Sequence, residues 1–472
     1  MAARWIWKKQ WPTPLLAALA TALLLQACGG GDGSVQPVPT SMRVGVSTPE
    51  LTATPAYEGA LKAGDWARVR AAQDCLDFRV NATDEGYSPI NFCQPTGFQG
   101  YVANGPMLNE GRWWWWIAGQ GWAQDEYLAF VRTEDLSKRT VPELSGLAQL
   151  AYIGADGGLW LMNADGSSRK HLVDVQNNST PSEYFGISVP QWRPDGQQLL
   201  FNVSSRGQDG DKFSVRIVNK DGASVSEIPN ATSAFWSPDG TRLGLLHGIT
   251  STGLGSVEAT PSVYNIDTGL LTSIGPHLFY GGGPKWRSNG EELVYENEQG
   301  LALARADGSD IRTLMPAASR GGKLPNWSPD GSSLSLQGYS QECQGYIVYH
   351  VKTQSVSLCA PESPRDSTRG GRGGWSEDGQ TDWSPDGRFF AYHTEWGVVN
   401  ESGVYVVDAT TAEQTLLPSW SAAFMSFAPH SRHVVFETHG GSRNFIWIGD
   451  AVTGVVTLLG EGSQPASRPI ID

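Results

Sequence analysis

The chain has 472 residues, of which 40% are hydrophobic, and it contains 56 Gly and 19 Trp. This composition excludes an intrinsically disordered chain and is typical of an all-β globular protein. The net charge of −14, from 34 Lys and Arg against 48 Asp and Glu, predicts an acidic surface without a basic stripe, so we expect no nucleic-acid partner.

The first 27 residues have the pattern of a secretory signal peptide. Arg4, Lys8 and Lys9 precede an apolar run over residues 15–25, and small residues lead to Cys28. The run is too short to span a bilayer comfortably, and no later segment is apolar enough to cross a membrane. Residues 28–57 are rich in Gly, Pro, Ser and Thr, which predicts a flexible tether.

The four residues from Leu25 to Cys28, Leu-Gln-Ala-Cys, resemble the lipobox of bacterial lipoproteins. The resemblance implies that Cys28 is acylated, and that this lipid is the only membrane anchor. Gly29 stands where an Asp would favour inner-membrane retention, so the expected location is the outer membrane, facing the periplasm. The alternative is an ordinary cleaved signal peptide in which Cys28 has no role.

Residues 58–133 predict a small barrel of short alternating strands joined by Gly turns. The strand from Cys75 to Val80, the Trp-rich run over residues 113–116, and a closing Gly121-Trp122 followed by Tyr127-Leu128 resemble a bacterial SH3-like domain. A linker over residues 134–147 follows.

Strand alternation places Trp113, Trp115 and Ile117 on one face of the Trp-rich strand, and Trp114 and Trp116 on the other. The family pattern assigns Trp115 and Ile117 to the core. We therefore expect Trp114 and Trp116 to be exposed and to form a contact site. The alternative is that they pack against the following domain.

Apart from Cys28, the four cysteines form two pairs that are close in sequence. They predict disulfides between Cys75 and Cys93 and between Cys343 and Cys359 in an oxidising compartment. The eight His residues are scattered and match no metal-ligand motif, so neither a metal nor another cofactor is expected.

An aromatic residue followed by a polar turn recurs six times at spacings of 41 to 56 residues. The copies begin at Trp192, Trp236, Trp286, Trp327, Trp383 and Phe427. Pro presets the turn, Asp or Asn accepts local backbone hydrogen bonds, and Gly tolerates the exit conformation. The Asp or Asn residues are Asp195, Asp239, Asn289, Asp330 and Asp386, and we assign them a structural role.

Each copy is followed by up to three further apolar strands, which predicts a four-stranded propeller blade. An additional unit over residues 151–173 lacks its first strand. The sequence therefore predicts a seven-bladed ring, with six blades as the alternative, over residues 148–472. The missing strand would come from the tail, residues 466–472.

The Trp-Ser-Pro-Asp-Gly turns, the apolar strands that follow them and strands such as Tyr405-Val406-Val407-Asp408 resemble the TolB-like, WD40-like β-propeller repeat. The resemblance identifies a fold better than an activity. One segment departs from the blade rhythm, because residues 361–374 contain Arg365, Arg369 and Arg372 among four Gly. We expect a surface insertion that could bind an acidic partner.

These features favour a non-catalytic envelope lipoprotein that binds or scaffolds protein or peptidoglycan partners. One alternative is a propeller-channel hydrolase of the lactonase or esterase type, with carboxylates such as Glu296, Glu298 and Glu395 as candidates. No Gly-x-Ser-x-Gly nucleophile motif supports an α/β-hydrolase, and no catalytic residue is assigned. A glycan-binding accessory protein is the other alternative.

Overall fold

The computed structural model describes most of the chain beyond residue 58, and all of the described residues belong to one unit, Pro55–Asp472. The described ranges are 59–70, 75–83, 90–174, 184–207, 210–251, 257–279, 282–316, 323–339, 344–361, 381–394, 402–419, 421–430, 432–440 and 443–469. Among these residues, no helix has the length and apolar character needed to cross a membrane.

The first domain is a seven-stranded antiparallel sheet that curves into a half-barrel. Its strands are β1 Asp65–Val69, β2 Leu76–Arg79, β3 Ile90–Gln94, β4 Gln99–Asn109, β5 Arg112–Ile117, β6 Gly121–Gln124 and β7 Leu128–Thr133. They pair in the order β3-β2-β6-β5-β4-β1-β7. The core is formed by Phe78, Phe92, Trp115 and Ile117 with smaller apolar side chains, as alternation along β5 requires.

Three short 3-10 turns are found in this part of the chain, one inside the half-barrel and two leading to the propeller. They span Asp125–Tyr127, Leu136–Lys138 and Pro142–Leu144. Leu136 is buried against the propeller, so the connection between the two domains is packed rather than free.

The remaining strands form seven separate sheets of at least four strands each, which confirms the predicted seven-bladed propeller. Blade 1 contains β8 Gln149–Ile153, β9 Leu159–Asn163 and β10 Lys170–Val173, together with β36 Ser463–Ser467. Blade 2 contains β11 Tyr184–Trp192, β12 Gln198–Gly207, β13 Gly210–Asn219 and β14 Ser224–Pro229. Blade 3 contains β15 Ala231–Trp236, β16 Arg242–Ser251, β17 Val257–Asn265, β18 Leu271–Ser273 and the short β19 Leu278–Phe279.

Blades 4 to 7 follow the same order from the innermost strand outward. Blade 4 contains β20 Lys285–Trp286, β21 Glu292–Asn297, β22 Gly300–Arg305 and β23 Arg312–Pro316. Blade 5 contains β24 Lys323–Trp327, β25 Ser333–Tyr339, β26 Gln344–His350 and β27 Ser355–Pro361. Blade 6 contains β28 Thr381–Trp383, β29 Phe389–Thr394, β30 Gly403–Asp408 and β31 Gln414–Pro418. Blade 7 contains β32 Ala422–Phe427, β33 His433–Gly440, β34 Arg443–Asp450 and β35 Val456–Glu461.

The end of the chain closes the ring by supplying the innermost strand of blade 1. Strand β36 pairs with β8, with Ser463 opposite Ile153 and Ser467 opposite Leu150. The closing strand therefore starts three residues before the predicted position, Ala466. The reason is that Gly462, at φ 148°, turns the chain directly from the end of β35 into β36.

Five of the six aromatic-anchored turns are capped by their own Asp or Asn. The Oδ1 atom accepts the backbone N–H two residues further on, at 2.9 to 3.0 Å, for Asp195, Asp239, Asn289, Asp330 and Asp386. In the Ser-Pro-Asp-Gly copies the Ser hydroxyl also donates to the same oxygen, as Ser328 does to Asp330 at 2.6 Å. These carboxylates are thus occupied by the turns themselves.

The anchor Trp side chains join each blade to the one before it. Trp286 Nε1 donates to the Phe235 carbonyl of blade 3 at 3.2 Å, and Trp327 Nε1 donates to the Lys285 carbonyl of blade 4 at 3.1 Å. An Arg of the preceding blade covers the ring in both cases: Arg242 lies 4.8 Å from Trp286 and Arg287 lies 5.2 Å from Trp327.

The same arrangement crosses the closure of the ring. Arg468, just after β36, lies over Trp192 and donates to the Gly196 carbonyl at 2.9 Å. Arg242 and Arg287 make the equivalent bonds to Gly290 and Gly331. The contact between blades 1 and 2 is therefore of the same kind as the contacts between blades that follow each other in sequence.

The cap at Asp330 is expected to stabilise the fold by about 1 kcal/mol, the usual size for a turn or cap hydrogen bond. Asp330→Ala should lower the free energy of unfolding by about that amount in a urea titration at pH 7. The Ser328 hydroxyl holds the pKa of Asp330 below its usual value. The contribution is therefore present above the unfolded-state pKa and lost as pH falls through the folded one.

The matched control is Glu298→Ala, which removes an equal charge from an exposed turn in blade 4. We expect it to change the free energy of unfolding by less than about 0.5 kcal/mol. Equal effects of the two substitutions at pH 7 would contradict the assignment of Asp330 as a cap.

Candidate functional site

The cavity at the axis of the propeller is the candidate site. Its volume is about 380 Å³, and all seven innermost strands contribute to its wall. Apolar side chains, including Phe235, Phe424, Met425 and several Pro residues, share the lining with polar groups in comparable proportion. A concave site that combines apolar side chains with placed polar groups is typical of ligand-binding cavities.

One position of the repeat supplies the side chains that distinguish the blades. It is the residue immediately before each aromatic anchor, and it lines the cavity in six consecutive blades as Gln191, Phe235, Lys285, Asn326, Asp382 and Ser426. Successive residues of a strand point to opposite sides, so these side chains lie opposite the anchors. Charge is distributed unevenly among these six residues, because the two charged ones, Lys285 and Asp382, come from blades 4 and 6.

Asp382 is held by donors from two neighbouring blades. Its Oδ2 accepts the Phe427 N–H of blade 7 at 2.8 Å, and its Oδ1 accepts the Asn326 side-chain amide of blade 5 at 3.3 Å. Asn326 also donates to the Thr381 carbonyl at 3.0 Å. Burial raises the pKa of Asp382 to about 6, although these hydrogen bonds and the charge of Lys285 act in the opposite direction.

Lys285 is the cation of the cavity wall. Its Nζ lies 3.8 Å from the centroid of the Phe235 ring, a cation–π contact. Within the described part of the chain, Nζ has no hydrogen-bond or ion-pair partner. Burial lowers the pKa of Lys285 to about 8, and the negative charge of Asp382 partly offsets that shift.

The innermost strands share a backbone irregularity beside the cavity. The register with the second strand of the blade shifts there, and the non-glycine residues Val189, Ser233, Phe424 and Gln464 have φ between 38° and 51°. The Val189 N–H donates to the Gln464 side-chain carbonyl, and the Gln464 N–H donates to the buried Glu437. These bulges alter which side chains the strands present to the cavity.

The expectation that Trp114 and Trp116 are exposed is wrong. Their side chains are 1% and 4% exposed. Trp116 packs with Tyr101, Phe445 and Leu458, so it lies between the half-barrel and blade 7. The alternative of packing against the following domain holds for Trp116. The expectation failed because alternation along a strand separates its two faces but does not show whether water or protein covers each face.

Polar contacts fasten the same junction. Arg443 Nη1 of blade 7 donates to the Ala103 carbonyl of the half-barrel at 3.0 Å, and Arg139 Nε donates to the Leu458 carbonyl at 2.7 Å. The half-barrel therefore has a fixed position on the propeller.

The other predicted site residues do not meet at the cavity. A disulfide joins Cys75 to Cys93. Cys28, Cys343, Arg365, Arg369 and Arg372 lie outside the described residues, and Cys359 lies on β27 without a described side chain. The five capping Asp and Asn residues lie at the turns, not in the cavity wall.

Lys285, Asn326 and Asp382 were not predicted from the sequence, and of the carboxylates named there, Glu296 and Glu298 do not line the cavity. Glu298 is in an exposed turn, Glu296 is on β21, and Glu395 is outside the described residues. The signal in the sequence is the residue before each anchor, whose chemistry varies from copy to copy while the anchor and the turn after it are repeated. A comparison of this position across the copies would have identified the residues that line the cavity.

The lowered pKa of Lys285 predicts unusual reactivity toward amine-acylating reagents, because the neutral amine is the reactive form. Acylation of Lys285, followed by peptide mass spectrometry, should reach half its maximal rate near pH 8, whereas a lysine in a short model peptide requires about pH 10.4. Asp382→Asn should lower the Lys285 midpoint, since the carboxylate favours the charged amine. A midpoint for Lys285 equal to that of the model peptide would contradict this environment.

No family model matches the chain, and no curated protein matches it. Several solved structures are similar. TolB from Acinetobacter baumannii has 14% identity and a TM-score of 0.41, over 76% of this chain and 79% of that one. An oligogalacturonate lyase from Vibrio parahaemolyticus has 15% identity and a TM-score of 0.45, over 65% and 92%. At these identities the likeness concerns the propeller fold alone.

Proposed function

We propose that this protein is a lipid-anchored, periplasm-facing envelope protein that binds a partner without catalysing a reaction. The observation that supports it best is the axial cavity, where apolar side chains and fixed polar groups share the wall. Such a site suits recognition of a partner segment or ligand. The partner class that we favour is a protein of the cell envelope, with peptidoglycan as the alternative contact of the half-barrel.

The binding role is favoured over catalysis because the channel carboxylate is already engaged. Both oxygens of Asp382 accept protein hydrogen bonds. A general base needs an oxygen directed at the substrate proton. The Ser426 hydroxyl, the nearest equivalent of a nucleophile in the wall, accepts the Ser467 N–H at 3.2 Å, which suits a structural role.

The half-barrel, which we propose to be SH3-like, would add a second binding surface with a fixed orientation. Within its Trp-rich strand, Trp116 is covered by blade 7 and Trp115 lies in the core of the half-barrel. Recognition would therefore use exposed residues such as Met107 and Phe130, which are 45% and 49% exposed. Because the junction is packed, a partner held by the half-barrel would have a defined direction relative to the channel.

A channel hydrolase is the second candidate, because the pKa values of Lys285 and Asp382 are both displaced toward neutrality. Groups with such shifts are frequent at catalytic sites. A glycan-binding accessory role is the third, since aromatic walls also suit sugars. Lactonase and esterase assays and glycan pull-downs separate these two from protein binding.

Lipid attachment at Cys28 is tested directly by replacing the acceptor thiol. Cys28→Ser should abolish incorporation of labelled palmitate and shift the protein from the membrane fraction to the soluble periplasmic fraction. Cys75→Ser is the matched control, since it removes another thiol outside the lipobox and should leave palmitate incorporation unchanged. Palmitate incorporation into Cys28→Ser would contradict anchoring at this residue.

The binding role is tested by photo-crosslinking in the native envelope. A photoreactive amino acid at Phe424, in the cavity wall, should yield a defined adduct, while the same group at Leu270, on the outer edge of blade 3 and 64% exposed, should not. Phe235→Arg should reduce the adduct several-fold by filling the cavity. Failure to form any adduct at Phe424, together with ester or lactone turnover, would favour the hydrolase.

A further inference from the structure

The wall of the axial cavity combines one cation with one engaged carboxylate. Among the residues that line it, Lys285 and Asp382 are the charged ones. A charged group taken out of water normally requires a partner of opposite charge or several hydrogen bonds. Asp382 meets that requirement by accepting hydrogen bonds from Phe427 and Asn326. Lys285 has no such partner among the described residues.

Lys285 has donors to offer to a ligand. An ammonium group has three N–H donors and no acceptor. Its contact in the cavity is with the face of Phe235, which attracts the cation but leaves hydrogen-bond donors available. Asp382 acts on Lys285 through its charge and directs its own oxygens toward other donors.

We propose that the axial cavity binds a ligand carboxylate at Lys285, and that the apolar group carrying this carboxylate packs against Phe235, Phe424 and Met425. The proposal rests on the channel as the binding site and adds the chemistry of its ligand. Within a protein partner, such a group would be a C-terminus or an acidic side chain next to an apolar residue.

The charge balance favours a carboxylate over a phosphate. The charge of Asp382 already offsets that of Lys285, so a bound carboxylate adds one negative charge to the site. A phosphate monoester has a charge of about −1.5 to −2 at pH 7, and the neighbouring Asp382 would repel its excess charge. Phosphate sites also tend to use several donors in a fixed array, and the described wall offers one cation.

The test compares three small probes that share an aromatic group: N-acetylphenylalanine, its neutral amide, and phenyl phosphate. Dissociation constants are measured by ligand-observed NMR with the full chain at pH 7. We expect the carboxylate to bind about tenfold more tightly than the amide, the size of effect expected for a hydrogen bond to a charged group, and also more tightly than phenyl phosphate.

Lys285→Met keeps the apolar stem of the side chain and removes the ammonium. It should bring the affinity of N-acetylphenylalanine down to that of the amide, while leaving the affinity of the amide unchanged. Lys352→Met, in an exposed turn of blade 5, is the matched control and should behave as the wild type.

The pH dependence tests the same point without any substitution. The probe carboxylate and Asp382 stay ionised between pH 7 and 9, whereas Lys285 loses its proton near pH 8. Binding of N-acetylphenylalanine should therefore weaken as pH rises through that range, and binding of the amide should not change.

Equal binding of the acid and the amide, or tighter binding of phenyl phosphate, would overturn the carboxylate assignment and leave the channel as a binding site. Absence of binding by all three probes would overturn the inference as well. Loss of the Phe424 crosslink in the native envelope would instead contradict the proposed function, so the two failures are distinguishable.

Discussion

The packing of an aromatic anchor between adjacent blades is the constraint on which the rest of the structure depends. Each anchor Trp is at most 8% exposed, and truncating such a side chain to Ala typically costs about 3–5 kcal/mol. The Arg that covers the ring adds about 0.5–2 kcal/mol by its cation–π contact. Burial therefore supplies most of the stabilisation, while at Trp192, Trp286 and Trp327 the Arg and the Trp Nε1 hydrogen bond also fix the orientation of the ring between the blades.

This constraint also separates the fold from the channel. Because the anchor must face one neighbouring blade, the residue before it is directed to the opposite side of the strand, where it reaches the cavity. In blades 2, 5 and 6 this residue also hydrogen-bonds the next blade, but no single residue type is required there. The series Gln, Phe, Lys, Asn, Asp and Ser shows this freedom, and function can differ between propellers that keep the same anchors and turns.

The fold could be predicted largely because it is encoded locally. A Trp or Phe followed by a Pro-Asp-Gly turn specifies a strand, a turn and the next strand within about ten residues, and the spacing of the copies specifies the blade period. The missing strand of blade 1 predicts the ring closure, although the closing strand begins three residues before the predicted position, because Gly462 turns the chain directly from β35 into β36.

The candidate site could not be predicted in the same way, because it depends on contacts between distant segments. Trp116 is buried by Phe445 and Leu458, more than 300 residues later in the chain. Lys285 and Asp382 are almost 100 residues apart in sequence and line the same cavity only when the blades are assembled into the ring. Sequence alternation describes the two faces of a strand, but it contains no information on which distant residue lies opposite.

The charge of the whole protein gives the channel a further property. A net charge of −14 repels an anion at long range, but at physiological ionic strength this repulsion is screened beyond about 8 Å. A cation inside the cavity acts within a few ångströms and in a less polar environment, where the attraction is stronger. An anionic group would therefore be disfavoured over most of the surface and favoured at Lys285, so the acidic surface would increase selectivity for the channel over non-specific binding.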